Sequence, residues 1–382
     1  AGWVYSSSAD AGKGSLVVSG GKLNINGLAG MDMYDVTING GEINVIGPED
    51  ADAGAGPGNS VRTSPSLGGY NSFTMTGGTV NLDNNGRLWS GKAYGDVYND
   101  MVFSGGTINM IGTNGDSYIT GTVTSNKGGN KLLFNGTTVN VKTDGRIDGY
   151  GIEIAGSTFN VDNDAELLFS STYSTNDSLK GQSYADAKLT LTSGAINNNQ
   201  GVIISDLAMT VSGGTLTTDK LVLGAPAEGG ATEADNGTFF AKKGITISGG
   251  TVIVGTINTS DSASVTLSGG TLQTASTQAF TLAEGQTLFA ETVDGVKPEA
   301  QSELNTTFTA TSGVLALTDK GVYTEGSLAA MSGALKDSTV SLHILNAELA
   351  LEEGKTTIGL YENVVTDQVG ATETVAGVTD GK

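Results

Sequence analysis

The sequence is poor in cysteine, histidine and basic residues. Its 382 residues include no cysteine, which excludes disulfides, thiol nucleophiles and thiolate metal ligands. One histidine is too few for a zinc site built from several imidazoles. Lys and Arg number 19 against 40 Asp and Glu, and the resulting formal net charge of −21 argues against a phosphate backbone as partner. We therefore expect no nucleic-acid binding.

Proline and long apolar segments are also scarce. Only 5 prolines accompany 58 glycines, so the glycine content is not that of a collagen-like chain. No apolar run approaches the ~20 residues that cross a bilayer, and we expect no membrane insertion by this fragment. The sequence begins at Ala1 without a signal peptide, as a mature or excised fragment would. A long chain without cysteine also fits export across a bacterial envelope.

The chain does contain a recurring phrase built around a pair of small residues, usually Gly-Gly. Counted from the first residue of the pair as position zero, apolar residues fall at −4, −2, +3 and +5. Around Gly249 these are Ile245, Ile247, Val252 and Val254. Eleven copies follow this rule in full or in part, with zero positions at Gly20, Gly40, Gly77, Gly105, Gly136, Gly156, Ser193, Gly213, Gly249, Gly269 and Ser312.

Each copy alternates apolar and polar residues with period two on both sides of the glycines. This pattern predicts a strand, a turn and a second strand, because a helix would need apolar spacings of three and four. Position +4 lies between two inward apolar residues and so faces outward, where stacked amides can form a ladder. Asparagines occupy it at Asn24, Asn44, Asn81, Asn109, Asn140 and Asn160.

The spacing between successive copies predicts a β-solenoid. The intervals are 20, 37, 28, 31, 20, 37, 20, 36, 20 and 43 residues, and 20 is both the shortest and the most frequent. Twenty residues suit one solenoid coil and are too few for a domain. A longer interval is either a coil with an insertion or two coils of which one lacks the phrase. A β-sandwich, the rival all-β fold, predicts no fixed phase for the apolar positions.

The phrase divides the chain into two regions. Residues 1–275 form the predicted solenoid, and residues 276–382, where the phrase weakens, form a C-terminal capping region with terminal coils. Such a region covers the apolar end of a coil stack. Loop insertions are predicted in the first region, where they are the expected carriers of binding function, at 48–69, 84–100, 171–187 and 224–237.

Repeated SGGT-apolar phrases, Asn-rich strands, acidic composition and absence of cysteine resemble the passenger domains of bacterial autotransporters, the secreted part of type V secretion proteins. The resemblance implies a right-handed parallel β-helix whose C-terminal part assists folding outside the cell. It also implies exposure at the bacterial surface and an outer-membrane barrel after Lys382 in the full-length protein. Functions in that family include adhesion, aggregation, proteolysis and lipolysis.

One predicted insertion groups aromatic and charged residues in a way that is typical of sugar or protein recognition. Arg87, Trp89, Tyr94 and Tyr98 lie within twelve residues of one another, and we take them as a candidate binding site. The competing interpretation is that these rings only cover the coil beneath the loop.

Carboxylates give two further candidates. Asp162, Asp164 and Glu166 alternate along VDNDAEL and are a candidate ligand set for Ca²⁺, the only cofactor considered. Arg146 between Asp144 and Asp148 is the one cluster that resembles the acid and base groups of polysaccharide-active β-helices. Solvated turn acids are the alternative for both sets.

Other catalytic patterns do not fit. His343, the single histidine, lies outside the repeats, and no G-x-S-x-G elbow accompanies it. The Gly-Gly pairs precede strands, whereas phosphate loops precede helices. We therefore expect no enzyme.

The first functional hypothesis is a non-enzymatic bacterial cell-surface or secreted passenger that acts in adhesion, in aggregation or as a spacer. Its partner would be a host glycan, a surface protein or a second copy of itself. The alternatives are a lyase or glycosidase on a β-helix, and a phage or filament structural protein. A carboxylate cluster in a groove beside a basic residue favours the enzyme, and trimerisation or polymerisation favours the structural protein.

Overall fold

The computed structural model describes residues 3–5, 14–27, 29–48, 65–90, 100–113, 115–121, 123–125, 128–171, 186–227, 230–259, 263–274, 279–281, 287–289, 307–318, 321–323, 339–349 and 364–368. Within these segments the chain is almost entirely strand, and the one helical element is a 3₁₀ turn at Glu233–Asp235. The all-β prediction is confirmed.

The strands are numbered in chain order. The first ten are β1 (Trp3–Tyr5), β2 (Ser15–Asn26), β3 (Gly30–Ile46), β4 (Ser66–Met75), β5 (Thr79–Asp83), β6 (Arg87–Ser90), β7 (Met101–Phe103), β8 (Thr107–Met110), β9 (Ser117–Gly121) and β10 (Val123–Ser125). The next ten are β11 (Gly128–Gly129), β12 (Lys131–Asn135), β13 (Thr138–Val141), β14 (Asp144–Asp148), β15 (Gly151–Ala155), β16 (Ser157–Val161), β17 (Glu166–Ser170), β18 (Lys188–Leu191), β19 (Gly194–Asn198) and β20 (Val202–Ser205). The last ten are β21 (Ala208–Leu223), β22 (Thr238–Ala241), β23 (Ile245–Thr259), β24 (Ser264–Thr274), β25 (Ala279–Thr281), β26 (Thr287–Phe289), β27 (Thr307–Leu317), β28 (Gly321–Tyr323), β29 (Thr339–Leu349) and β30 (Val364–Gln368).

The chain divides into two compact units. Unit 1 comprises Ala1–Met209 and Pro226–Phe240, and unit 2 comprises Thr210–Ala225 and Ala241–Lys382. This division falls well before residue 275, where the repeat phrase weakens. In unit 2 parallel pairing continues beyond that residue, from β24 to β27, from β27 to β29 and from β29 to β30. Parallel coils therefore continue in unit 2 beyond the point where the repeat phrase weakens.

Each coil of unit 1 contributes one strand to each of three parallel sheets. Strands β12, β13 and β14 make one coil, and β15, β16 and β17 of the next coil pair with them in parallel. Apolar side chains meet in register at all three levels, as in Val139 opposite Phe159 and Ile147 opposite Phe169. The fold is therefore a parallel β-helix, as the sequence predicted.

The three sheets of unit 1 are named in the order in which a coil visits them. The first sheet contains β7, β12, β15, β18 and parts of β2, β3 and β4. The second contains β5, β8, β13, β16, β19 and parts of β2 and β3. The third contains β1, β6, β9, β14, β17, β20 and the first residues of β3 and β4.

The predicted inward positions form the core. Around Gly77 they are Phe73, Met75, Val80 and Leu82, and all four are 0% exposed. The same positions around Gly40, Gly105 and Gly136 are equally buried. The four apolar positions that are fixed relative to the glycine pair are thus the buried positions.

The turn glycine is required where one coil passes over another. Gly78 has φ +86°, and a Cβ there would lie 2.8 Å from both the carbonyl carbon of Gly40 and the carbonyl oxygen of Gly41. A side chain at this corner would clash with the backbone of the preceding coil. The glycine pairs are structural, as their position before a strand predicted.

Five phenylalanines from four successive coils stack inside unit 1. Phe134 lies between Phe103, with ring centroids 4.7 Å apart, and Phe159, at 5.0 Å. Phe73 and Phe169 extend the series at 5.8 and 6.0 Å. All five side chains are 0% exposed, so the rings form a continuous apolar column.

The predicted asparagine ladder is present on the outside of the second sheet. Each Nδ2 donates to Oδ1 of the asparagine one coil earlier, at 2.7–3.0 Å. The sequence separations of these pairs are 20, 37, 28, 31, 20 and 37 residues, so every one of these intervals is a single coil, with or without an insertion. Asn197, at position +4 of the copy around Ser193, is a seventh member.

Replacing Asn109 by alanine should lower the free energy of unfolding by about 1–2 kcal/mol. The change removes the bonds to Asn81 and Asn140 and leaves an amide group on each side without its ladder partner. Thr107→Ala, on the same face of the same strand, is the matched control and should cost less than about 0.5 kcal/mol. Denaturant midpoints of the two variants measure the difference, and equal midpoints would contradict a stabilising ladder.

Two predicted insertions were drawn too wide. Residues 66–69, assigned to the insertion 48–69, are the start of β4, and residues 87–90, assigned to 84–100, are β6. Both belong to the third sheet, whose short strands do not carry the glycine phrase. Segments 171–187 and 224–237 contain no strand among their described residues, in keeping with insertions.

Candidate functional site

The outer surface of the third sheet carries a group of polar side chains, several of which are buried. Inward residues of this sheet, such as Leu88, Ile119 and Ile147, are 0% exposed, and their neighbours along each strand point to the other side. We call these outward neighbours the third-sheet face. Its members are Asp32, Ser66, Arg87, Trp89, Tyr118, Thr120, Arg146 and Asp148.

The strand register arranges this face in two columns. One column runs Ser66, Arg87, Tyr118 and Arg146 on neighbouring strands. The parallel register places successive members ~4.8 Å apart at their Cα atoms. Tyr118 therefore lies between the two guanidinium-bearing residues of the described chain.

In the second column the side chain of Trp89 reaches across Gly68 to Asp32. Trp89 Nε1 donates to Asp32 Oδ1 at 3.0 Å, and both side chains are buried. Gly68 lies between their strands, and a Cβ there would be 2.0 Å from the indole nitrogen. The ring of Tyr70 meets Trp89 edge-on at 5.1 Å. The indole is thus fixed from three directions.

Asp148 and Arg146 form a buried ion pair. Arg146 Nε lies 3.0 Å from both carboxylate oxygens, and the two side chains are 3% and 0% exposed. Burial, with a smaller contribution from the charge of Asp206, raises the pKa of Asp148 to about 6 against the lowering effects of Arg146 and Arg87. This carboxyl can therefore hold a proton at mildly acidic pH.

Asp148 should make stability fall as pH rises from about 4 to about 6. Its pKa is ~3.9 in the unfolded chain and about 6 in the fold, so the folded state binds more protons in this window. Raising pH across the window should lower the free energy of unfolding by an amount on the order of 2–3 kcal/mol, with no further loss above it. Denaturant midpoints measured at a series of pH values test this.

Asp148→Asn should remove the fall in the free energy of unfolding between pH 4 and pH 6. Asp162→Asn, which alters an exposed carboxylate, should retain it. Identical pH profiles for the wild type and Asp148→Asn would contradict the assignment.

Two hydroxyl groups on the face are buried without a hydrogen bond. Ser66 Oγ and Thr120 Oγ1 belong to side chains that are 3% exposed, and neither has a partner in the part of the chain that the structure describes. Ser66 is the strand neighbour of Arg87, and Thr120 is the strand neighbour of both Trp89 and Asp148. An unsatisfied buried hydroxyl costs about 1–3 kcal/mol, so these atoms mark places where a bound group or water would be stabilised.

The predicted binding residues are partly brought together. Arg87 and Trp89 are two residues apart on β6 and so share the third-sheet face, while Tyr94 and Tyr98 lie outside the described residues. The rest of the face was not anticipated, because its strands are brought together only by the register of the coils. The one sequence signal that could have linked Arg87 to Trp89 is their spacing of two residues, which puts both side chains on the same side of a strand.

The predicted calcium ligands have other partners. Asp162 accepts a hydrogen bond from Lys142 Nζ at 2.7 Å, and Asp164, with φ +60°, accepts from the amides of Asn163 and Asn236. Glu166 begins β17. Among the residues that the structure describes, no three acidic or histidine side chains are grouped closely enough to hold a metal ion.

Asp144 shares the side of β14 that carries Arg146, but it lies four positions before Asp148. Along a strand that distance is ~13 Å, wider than the carboxylate separation of glycosidases. Burial raises the pKa of Asp144, as does the charge of Asp116. In unit 2, His343 lies on β29 opposite Ala316 and Val365, two aliphatic neighbours.

Comparison with known proteins gives no identification. No family model, no curated protein and no solved structure matches this chain. Among the described residues no helix is long and apolar enough to span a membrane. The architecture defines the class of protein, a parallel β-helix, and function must be argued from the third-sheet face.

Proposed function

We propose that this protein is a non-enzymatic recognition protein of the bacterial cell surface, which adheres to a glycan or a surface protein through its third-sheet face. The observation that carries the proposal is the concentration of recognition-type residues on one of three sheets. Arg87, Trp89 and Tyr118 occupy adjacent strands there, and Arg and aromatic residues are those most often found at binding hot spots.

The outer face of the second sheet supports this choice by contrast. The second sheet presents the asparagine ladder beside a column of threonines, at Thr79, Thr107, Thr138 and Thr158. Its charges pair across neighbouring coils, as in Lys22 with Glu42 at 2.9 Å and Lys142 with Asp162 at 2.7 Å. A regular, internally bonded face suits a rigid support better than a selective contact.

A polysaccharide-active enzyme is the second candidate, and the raised pKa of Asp148 favours it. A carboxyl that holds a proton at mildly acidic pH has the property of a general acid. Against it, Asp148 and Asp206 are 0% and 1% exposed, so a polymer would not reach them without rearrangement of the face. Arg146 already occupies both oxygens of Asp148.

Adhesion and turnover should be measured together on the purified chain. Binding to immobilised glycans and to host cells, without release of reducing or unsaturated sugars, is the expected result. Tyr118→Leu, at a half-buried position of the face, should weaken this binding, and Asn197→Ala on the second sheet is the control. Reproducible sugar turnover that is lost in Asp148→Asn would replace adhesion by the enzyme.

A further inference from the structure

We infer that the outer edge of β2, the edge turned away from β3, pairs with the same edge of a second copy of this chain in an antiparallel two-fold dimer. This contact is independent of the third-sheet face. Leu16 and Leu23 of β2 are half-buried. Val36 and Ile43, at the equivalent positions of β3, are 0% exposed. Apolar positions that form the core in the next coil are thus partly uncovered on β2.

The glycine corner of β2 is open on the same side. A Cβ at Gly41 would lie 2.8 Å from backbone atoms of both Gly20 and Gly21, which form the corner of the preceding coil. A Cβ at Gly20 or at Gly21 would have no atom within 4 Å. Within the part of the chain that the structure describes, β2 pairs with β3 alone. The outer edge of β2 is therefore available to a further strand.

Four residues of β2 direct their backbone N–H and C=O groups to this edge. In the later coils, residues at positions −1 and +2 donate to the preceding coil, as Thr76 N does to Ile38 O and Thr107 N to Gly78 O. The direction of these groups alternates along a strand, so positions −3 and +4 share it. In β2 the four positions are Val17, Ser19, Lys22 and Asn24. Peptide groups at an unpaired edge are a template for strand addition.

The apolar pattern of the phrase is suited to pairing with itself. Positions −4, −2, +3 and +5 are symmetric about the centre of the glycine pair. An antiparallel two-fold pairing about this centre places Leu16 opposite Ile25 of the second copy. It also places Val18 opposite Leu23. Inward residues therefore meet inward residues, and the apolar core continues from one copy into the other.

The backbone groups follow the same symmetry, because positions −3, −1, +2 and +4 are also symmetric about this centre. Val17 lies opposite Asn24 of the second copy, and Ser19 lies opposite Lys22. Both members of each pair direct their peptide groups to the shared edge. Each pair can therefore exchange two N–H···O bonds, as the hydrogen-bonded pairs of an antiparallel ladder do.

Charge favours contact between two copies at this place. The formal net charge of −21 makes most contacts between copies repulsive, but β2 contains no acidic residue. Its single charged residue, Lys22, pairs with Glu42 of the same copy at 2.9 Å. Prolines and charged side chains are the usual protection of an edge strand, and β2 has no proline and only this one lysine. A two-fold contact is also the commonest way in which identical chains associate.

Sedimentation equilibrium of the purified chain over a wide range of concentrations tests the dimer. The expected result is an equilibrium between monomer and dimer without larger species, because a two-fold pairing occupies the edge of both copies and leaves none for a third.

Ser19 tests the register of the pairing, because it is exposed and lies opposite Lys22 of the second copy. Ser19→Glu places opposite charges across the contact and should lower the dissociation constant of the dimer roughly three- to tenfold. Ser19→Lys places like charges there and should raise it by a similar factor. Ser104, exposed at the same position of a coil that is paired on both edges, is the matched control. Ser104→Glu and Ser104→Lys change the net charge equally and should alter the dissociation constant much less.

Val17→Pro removes an N–H group from the outer edge without removing a bond to β3, and should weaken the dimer at least about tenfold. A monomer at every concentration, species larger than a dimer, or an unchanged dimer in Val17→Pro would overturn the inference. Ser19→Glu and Ser19→Lys shifting association in the same direction would do so as well. Melting temperatures show that each variant is folded, and if Val17→Pro does not fold, the two Ser19 variants decide.

Discussion

Replacing Phe134 by alanine should destabilise unit 1 by about 3–5 kcal/mol, among the largest effects of any single change in this chain. The ring is 0% exposed and contacts Phe103 and Phe159 of the coils on either side. Its removal leaves a cavity that strand pairing prevents from closing, because Leu133 and its neighbours on β12 are held in register on both edges. The loss of two ring contacts adds to the loss of apolar burial.

The measurement is denaturant unfolding followed by tryptophan fluorescence, with amide hydrogen exchange to localise the opening. Exchange should rise first in β12 and in the strands paired with it, since coils contact only their neighbours. Val17→Ala is the control, because Val17 is 58% exposed and its truncation should change stability by less than about 0.5 kcal/mol. A Phe134→Ala midpoint equal to that of the control would contradict a continuous aromatic column.

Arg146→Met should cost about 3–5 kcal/mol at neutral pH, because it leaves the carboxylate of Asp148 buried without its cation. The cost should shrink at pH 5, where Asp148, with a pKa of about 6 even beside Arg146, takes up a proton more readily still. This dependence on pH separates loss of the charge from loss of packing, which would be the same at both values.

The double variant Arg146→Met, Asp148→Leu supplies the second half of that test. Removing both charges replaces a buried ion pair by apolar contacts, which is often neutral or stabilising. The double variant should therefore be more stable than Arg146→Met alone. If its stability equals the sum of the two single losses, the residues do not act as a pair, and the interpretation of this part of the face is wrong.

The sequence predicted the first two sheets well because their strands flank a glycine pair. The alternation around Gly77 or Gly249 is long enough to fix both the strand and its buried side. The asparagine ladder was predicted from the same alternation, since Asn81 and Asn109 lie between inward residues. Asn197 occupies the same +4 position in the copy around Ser193, TSGAIN, where serine replaces the first glycine.

The third sheet could not be predicted in the same way. Its strands, such as RLWS and DGRID, are short, carry outward charges and have no glycine phrase at a fixed distance. Polar residues that are outward yet buried conflict with the usual alternation, so Arg87 and Trp89 were assigned to a loop. Their partners Asp32 and Ser66 are 57 and 21 positions away from Trp89 and Arg87, and only the coil register brings them close.

The ladder bonds of unit 1 join asparagines 20 to 37 residues apart without any change in geometry. The register between consecutive coils therefore does not depend on how many residues connect them. A gene for such a protein can lose or gain a complete 20-residue segment, such as the one from Lys131 to Tyr150, and still encode matching surfaces at the junction, because Lys131 and Gly151 occupy equivalent positions. Unequal recombination between repeats would then change the number of coils. The length over which a recognition face extends would change with it, while the sequence of each remaining coil stays the same.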